Sequence, residues 1–178
     1  MLVLCRLTYS RQQFLTQFCD AVYIVNGVRL LQQLLNLEKR KGRVVADLVA
    51  ILTNILRSQP ENAHLVEKVV FHSYSSAGNS IDQFGKLLTH RQATLRARTC
   101  HLIRLLGRFS CRALQQIWGK SLRNLIEKLI IDEDQTVRLI SCRYTDDFVR
   151  MTFVKCALKL WRRWNGSFKI GIDRYRNR

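Results

Sequence analysis

The sequence has very little proline and glycine, with one and eight residues respectively in a chain of 178. An all-β fold needs many turn residues, so this scarcity argues against a sandwich or a barrel. Leucine and arginine, which favour helices, dominate instead. Hydrophobic residues make up 47% of the chain, as in a globular protein. The composition therefore predicts an all-α fold.

Signatures of metal sites, secretion and membrane insertion are also missing. The six cysteines show no CxxC spacing and no metal-type pairing with the four histidines, so no metal site is predicted. Arg6 interrupts a short apolar start, which excludes a convincing secretory signal. The apolar run 14–25 is broken and too short to span a bilayer. These absences predict reduced cysteines and a cytoplasmic location, with the nucleus as the alternative.

Acidic residues are scarce. Thirteen Asp and Glu stand against 30 Lys and Arg, which gives a formal net charge of +17. A field of this sign attracts nucleic acid, anionic lipid or an acidic protein segment. The alternative interpretation is the ordinary solvated surface of an arginine-rich helical protein, since the basic residues are spread along the whole chain.

Hydrophobic residues recur at helical spacing along most of the chain. The segment 43–58 is apolar over most of its circumference, which is typical of a buried helix. Asn26-Gly27 ends the first clear helix, because both residues tolerate the left-handed conformation. Helices are expected over 11–25, 28–40, 43–58, onward from Pro60, onward from Ser80, and over 93–107, 110–118 and 121–131, with a polar loop at 72–80.

Two segments repeat at a fixed offset of 42 residues. Residues 86–100 read KLLTHRQATLRARTC and residues 128–142 read KLIIDEDQTVRLISC. This offset falls within the period of about 40–47 residues of HEAT and armadillo units. A looser copy relates 50–66 to 101–117 at an offset near 50. The predicted repeat positions are Leu87, Leu95, Arg96, Leu129, Asp132, Asp134, Val137 and Arg138.

The segment DEDQTVR at 132–138 places an acidic turn before an apolar residue and an arginine that open a helix. This order resembles the HEAT motif. The resemblance implies that Asp132 and Asp134 cap the helix and pair with an arginine of a neighbouring repeat, while Val137 lies in the core. A plain capped amphipathic helix is the alternative interpretation.

Three segments are similar to a known family of kinases: LTNILRSQPENAHLVEKVV, FGKLLTHRQATLRARTCHLIRLLGRFS and LIEKLIIDEDQTVR. Residues 43–138 resemble the C-terminal HEAT/armadillo-like region of Fused-type serine/threonine kinases of the Hedgehog pathway. The related unc-51-like kinase with a HEAT-rich tail is a competing assignment. The resemblance implies a regulatory region that binds pathway partners. Because the glycine-rich loop and the VAIK, HRD and DFG motifs are absent, no catalytic residue and no cofactor are expected in this chain.

The chain is predicted to consist of an N-terminal extension at 1–10, helical repeats at 11–142 and a tail at 143–178 that departs from the repeat pattern. The tail holds ten Lys or Arg and seven aromatic residues. It is interpreted as a final irregular helix, with a membrane-surface helix as an alternative. Nucleic-acid binding through stacked Trp and Arg side chains is less favoured, because no recognisable binding module frames them.

The sequence thus predicts a non-catalytic scaffold, an all-α solenoid that binds an acidic or phosphorylated protein partner. The favoured surface is the basic arc of the helix at 93–107, since guanidinium groups bind carboxylates and phosphates in bidentate geometry. A solvated helix face is the alternative, and no oligomeric state is predicted. The predicted partner-binding residues are Arg91, Arg98, Arg104, Arg108 and Arg112.

Overall fold

A computed structural model describes residues 2–35, 42–71, 80–110 and 122–143, together with positions 113 and 146. All regular secondary structure in these residues is helical, so the fold is all-α, as the composition predicts. The helices are α1 (Leu2–Ser10), α2 (Gln12–Ile24), α3 (Val28–Leu35), α4 (Gly42–Ser58), α5 (Ala63–Phe71), α6 (Ser80–Leu88), α7 (Ala93–Phe109), α8 (Leu122–Lys128) and α9 (135–143). Single 3-10 turns at Pro60–Asn62 and Leu129–Ile131 lead into α5 and extend α8.

The helices pack in two rows. In one row α4 contacts both α1 and α7, and α9 approaches α7 through Cys100 and Ser141. In the second row α3 contacts α5, α5 contacts α6, and α6 contacts α8. The two rows are joined by contacts of α3 and α5 with α4 and by contacts of α6 with α7. Apolar faces of both rows thereby form one core.

Helix α4 lies at the centre of this core. Eleven of its 17 residues are buried, and Leu48, Leu52 and Ile55 are fully enclosed. Burying a leucine or isoleucine side chain contributes about 1.5–3 kcal/mol. The sequence prediction of a buried helix is therefore confirmed, and α4 contacts α1, α3, α5 and α7.

The apolar spacing of the segment 11–25 predicts an inner face of Phe14, Phe18, Ala21, Val22 and Val25. For α2 this prediction is mostly wrong. The buried residues of α2 are Leu15, Cys19 and Val22, whereas Val25, which was expected to face inward, is 70% exposed. Helix α2 carries apolar residues on more than one side, and packing in the fold covers only one of them. Of the other residues predicted to lie on the inner face, Phe14 and Phe18 are half-buried and Ala21 is exposed.

The predicted end of α2 is confirmed. Asn26 has a φ of 49°, in the left-handed region, and the Gly27 amide donates to the Val22 carbonyl at 2.8 Å. This hydrogen bond satisfies a carbonyl of the last helical turn. The predictions for 36–40, 72–79, 114–121 and the tail beyond 146 fall outside the described residues.

Helices α4 and α7 are equal in length at 17 residues each, and both their first and their last residues are 51 positions apart. Helices α6 and α8 begin 42 positions apart, at Ser80 and Leu122. These offsets of 51 and 42 positions correspond to the offsets near 50 and of 42 between the repeated segments of the sequence. Within the described residues, no helix is long and apolar enough to cross a membrane.

Candidate partner-binding groove

The turns that precede α7 and α9 make the same backbone contacts. Arg96 Nη1 donates to the carbonyl oxygens of residues 90 and 91 at 2.8 and 3.0 Å. Arg138 Nη1 donates to the carbonyl oxygens of residues 132 and 133 at 2.7 and 2.9 Å. The sequence offset of 42 is thus also an offset between equivalent hydrogen bonds.

A second hydrogen bond repeats in these turns. The Gln92 amide donates to His90 Nδ1 at 3.1 Å, and the Asp134 amide donates to Asp132 Oδ1 at 2.9 Å. His90 therefore occupies the position that Asp132 occupies in the following turn. A histidine ring nitrogen and a carboxylate oxygen accept the same bond, but only the carboxylate adds a negative charge.

Asp132 uses that charge to bind the preceding helix. Arg96 donates from Nε to Oδ2 at 2.8 Å and from Nη2 to Oδ1 at 2.7 Å. Both side chains are only 8% exposed. The hydrogen bond from Arg96 holds the pKa of Asp132 below its usual value, against the opposing effect of burial. This bidentate pair, which we call the interhelical clamp, ties α7 to the turn between α8 and α9.

The other predicted repeat positions lie in the core or at a helix start. Asp134 Oδ1 accepts hydrogen bonds from the amides of Thr136 and Val137 at 2.8 and 3.1 Å, which caps α9. Apolar repeat positions are buried: Leu87, Leu95, Leu129 and Val137.

The predicted basic arc of α7 is not one continuous exposed surface. Arg98 is half-buried; its Nη1 donates to the Ala46 carbonyl at 3.0 Å and lies 3.5 Å from Asp47 Oδ1. Packing of α7 on α4 produces these contacts. Arg104 is also half-buried. Arg91 and Arg108 are exposed, Arg108 lying over the Phe109 ring, and Arg112 is outside the described residues.

A groove opens between α1, α4 and α7, with a volume of about 630 Å³. Each helix contributes an arginine to it: Arg6 from α1, Arg57 from α4 and Arg98 from α7. Among the described residues, neither Arg6 nor Arg57 forms an ion pair. We call this feature the basic groove. Its remaining lining residues are Cys5, Tyr9, Ser10, Asp47, Ala50, Thr53, Asn54 and His101.

The acid in the basic groove is largely enclosed. The Asp47 side chain is 9% exposed and faces Arg98. His101 carries little positive charge near neutral pH, because burial, followed by the charges of Arg104, Arg57 and Arg143, lowers its pKa. The exposed cations of the basic groove are therefore Arg6 and Arg57, and they set its sign.

Sequence reasoning missed Arg6, Tyr9 and Arg57. Arg6 and Tyr9 lie on α1 and Arg57 lies on α4, more than 40 positions away, so no periodicity within one helix links them. The available signal was local: Arg57 is a charged residue that directly follows the buried run 51–56 of α4.

The described residues contain no cluster of three potential metal ligands. Burial raises the pKa of the Cys19 and Cys100 thiols to about 11, so both stay protonated and poorly nucleophilic. Cys100 Sγ lies 3.7 Å from Ser141 Oγ, on the helix that packs beside it.

No protein-family model matches the chain. The chain is 40% identical over 134 residues to the serine/threonine-protein kinase fused of Drosophila melanogaster. The match covers 71% of this chain and 16% of that kinase, so the chain is related to it over a small part of its length. The crystal structure of an engineered protein has a TM-score of 0.63 at 16% identity, over 82% of this chain and 53% of that one. This likeness concerns the fold alone.

Proposed function

We propose that this chain is a non-catalytic region of a Fused-type serine/threonine kinase, a HEAT/armadillo-like scaffold that binds an acidic protein segment in the basic groove. The relation to the Drosophila kinase supports the family. The family resemblance supports a regulatory role in Hedgehog signalling in the cytoplasm. The absence of kinase motifs from the sequence supports a function other than phosphoryl transfer.

The repeat architecture is supported by equivalent contacts at equivalent positions. A repeat protein stacks similar units, each of which contacts its neighbours. Here α4 and α7 lie side by side with equal length. The arginines at 96 and 138 bind the turn before their own helices in the same way. We therefore divide the chain as the sequence suggests, with helical repeats over 11–142 and α1 packed on their first unit.

The observation that carries the binding proposal is the convergence of arginines from α1, α4 and α7 on one groove. Arg6 and Arg57 keep guanidinium groups available for a carboxylate or a phosphate, which they bind in bidentate geometry. Tyr9 is 74% exposed beside them and offers an aromatic surface. Interfaces concentrate binding energy in arginine and aromatic residues of this kind. The fitting partner is an acidic segment that also carries an apolar side chain.

The test uses a fluorescein-labelled peptide of glutamates around a central leucine, with a glutamine-for-glutamate version as its neutral counterpart. Fluorescence polarisation measures binding to the full chain. The double variant Arg6→Glu/Arg57→Glu is expected to raise Kd at least about tenfold, the loss that follows when charge-assisted hydrogen bonds disappear. The charge-matched control is Arg11→Glu/Arg29→Glu, at exposed positions outside the groove.

Equal losses in the two double variants would show that net charge, and not the basic groove, attracts the peptide. A single-stranded oligonucleotide is the second probe, because the high positive charge also suits nucleic acid. At equal salt the oligonucleotide could bind more tightly than the peptide and lose that binding in Arg6→Glu/Arg57→Glu. This result would contradict the proposed protein partner and assign the basic groove to a nucleic acid. Circular dichroism of each variant verifies that helicity is retained.

A further inference from the structure

Helix α9 exposes a face whose equivalent on α7 is covered. On α7, Arg96 and Ala97 are each 6% exposed. Their equivalents 42 positions later are Arg138, which is half-buried, and Leu139, which is 52% exposed. The difference arises because the α8–α9 unit packs beside α7 and supplies the interhelical clamp.

A third position belongs to the same face. Thr89, an exposed residue in the turn after α6, lines the rim of a cleft of about 350 Å³ together with Leu125 and Asp132 of the following unit. Its equivalent is Ile131, which is 85% exposed. We call Ile131, Arg138 and Leu139 the end face. Two of its three members are exposed apolar side chains.

Arg138 has donors left for a ligand. Its Nη1 makes the two backbone hydrogen bonds that Arg96 Nη1 also makes. In Arg96 the remaining edge, Nε and Nη2, holds Asp132. Among the described residues, nothing accepts a hydrogen bond from that edge of Arg138. The guanidinium is thus oriented by its own turn, with the carboxylate-binding edge open.

We propose that the end face is a docking surface for an α-helical segment of another polypeptide that begins with an acidic turn. Its first carboxylate binds Nε and Nη2 of Arg138, as Asp132 binds Arg96. Its apolar side chains cover Leu139, as the α8–α9 unit covers Ala97, and contact Ile131 at the edge of the interface, where the equivalent Thr89 lines a cleft with that unit. The interface is continuous with one that the molecule already contains.

The chemistry of the partner follows from the interhelical clamp. The partner needs an aspartate or glutamate in the turn, a second acid two residues later to cap the helix, and apolar residues in the helix, which is the order of residues 132–140. The end face shares no residue with the basic groove, so failure of one proposal leaves the other unaffected.

The probe is a fluorescein-labelled peptide with the sequence of residues 122–143, which contains that acidic turn and helix. Fluorescence polarisation with the full chain is expected to show saturable binding. Arg138→Met in the chain and Asp132→Asn in the probe are each expected to raise Kd at least about tenfold, since each removes a bidentate charged hydrogen bond. Arg143→Met, at an exposed arginine of the same helix, is the charge-matched control and is expected to keep Kd unchanged.

The probe variant keeps the test independent of folding, because the protein itself is then unaltered. Leu139→Lys adds a second check at an exposed side chain and is expected to weaken binding as well. Absence of binding to the full chain overturns the proposal. Equal binding of the original probe and the Asp132→Asn probe also overturns it. Binding that Arg138→Met does not affect overturns it as well, because that is the result expected if the probe replaces the chain's own α8–α9 unit at Arg96.

Discussion

Helix α7 is joined to its neighbours by different chemistry on its two sides. Toward α4 the contact is extensive and mostly apolar, between helices of equal length whose inward residues are fully buried. Arg98 adds one polar link there, to Ala46 and Asp47. Toward the α8–α9 unit, the bidentate pair of Arg96 and Asp132 dominates the polar contacts.

This difference shows how one helix can use two kinds of junction. Apolar contact is proportional to buried area and has little directionality, so it stabilises α4 against α7 without depending on ionisation. A buried ion pair needs both partners in place, because removing one leaves an uncompensated charge. The α7–α9 junction is therefore the one that pH and single charge changes can open.

The largest effect is expected from breaking the interhelical clamp. Asp132→Ala leaves the buried Arg96 guanidinium without its carboxylate, which costs about 3–5 kcal/mol. Urea unfolding followed by circular dichroism measures the loss. Glu133→Ala is the control, because the Glu133 side chain is 85% exposed at 3.4 Å from the same guanidinium and is worth about 0–1 kcal/mol. Similar losses in both variants would contradict the assignment of Asp132 as the partner that stabilises this junction.

Acid is expected to have a smaller effect at the same junction, since a protonated Asp132 still accepts a hydrogen bond. The hydrogen bond from Arg96 lowers the pKa of Asp132 in the folded state. The stability that the ionised Asp132 carboxylate contributes is therefore fully present above the pKa of about 3.9 that an aspartate has in the unfolded chain. It is lost as the pH falls through the lower, folded pKa.

Thermal unfolding between pH 7 and pH 3 measures this contribution. The melting temperature of the wild-type chain is expected to decrease more over that range than the melting temperature of Asp132→Asn, which carries no titrating group at this position. Leu52→Ala, a cavity variant in the apolar α4 core, is expected to be less stable at all pH values but to follow the wild-type slope. Parallel profiles for the wild type and Asp132→Asn would show that this carboxylate does not contribute to the acid sensitivity.

The parts of the molecule that could be predicted from sequence are those with a local cause. Helices α4 and α7 follow from apolar spacing, and Asp134 lies where a helix cap is needed. The inner face of α2 could not be derived, because packing against other helices selects which of its apolar sides is buried. The basic groove is likewise a product of packing, since it brings together Arg6 and Arg57 from separate helices.

The polar link on the α4 side is expected to be weaker than the clamp. Arg98 is 39% exposed at its side chain, and its ion pair with Asp47 spans 3.5 Å. Arg98→Met removes this pair and the hydrogen bond to the Ala46 carbonyl, at a cost of about 1–2 kcal/mol. Urea unfolding of Arg98→Met, Asp47→Asn and the double variant is expected to give a double variant less destabilised than the sum. Strict additivity would mean that the two side chains do not interact in solution.

The smallest effect concerns the caps of the two equivalent helices. Asp134 accepts hydrogen bonds from two amides at the start of α9, whereas Gln92, at the equivalent place before α7, makes no side-chain cap. Asp134→Gln is expected to cost about 1 kcal/mol, because the longer amide side chain is a poor cap and loses the favourable charge at the helix N-terminus. Gln92→Asp is expected to stabilise the chain by up to about 1 kcal/mol for the same reasons.

The two substitutions are best measured together by urea unfolding, since they exchange one residue between equivalent turns. Distant caps contribute independently, so the double variant is expected to lie close to the wild type. Destabilisation by Gln92→Asp alone would contradict the equivalence of the turns. It would indicate instead that the Gln92 side chain is needed where it approaches Gly42, since a methyl group placed on Gly42 would lie 2.9 Å from Gln92 Oε1. In that case the turn before α7 is adapted to hold the start of α4, and the turn before α9 is adapted to cap its own helix and hold Arg96.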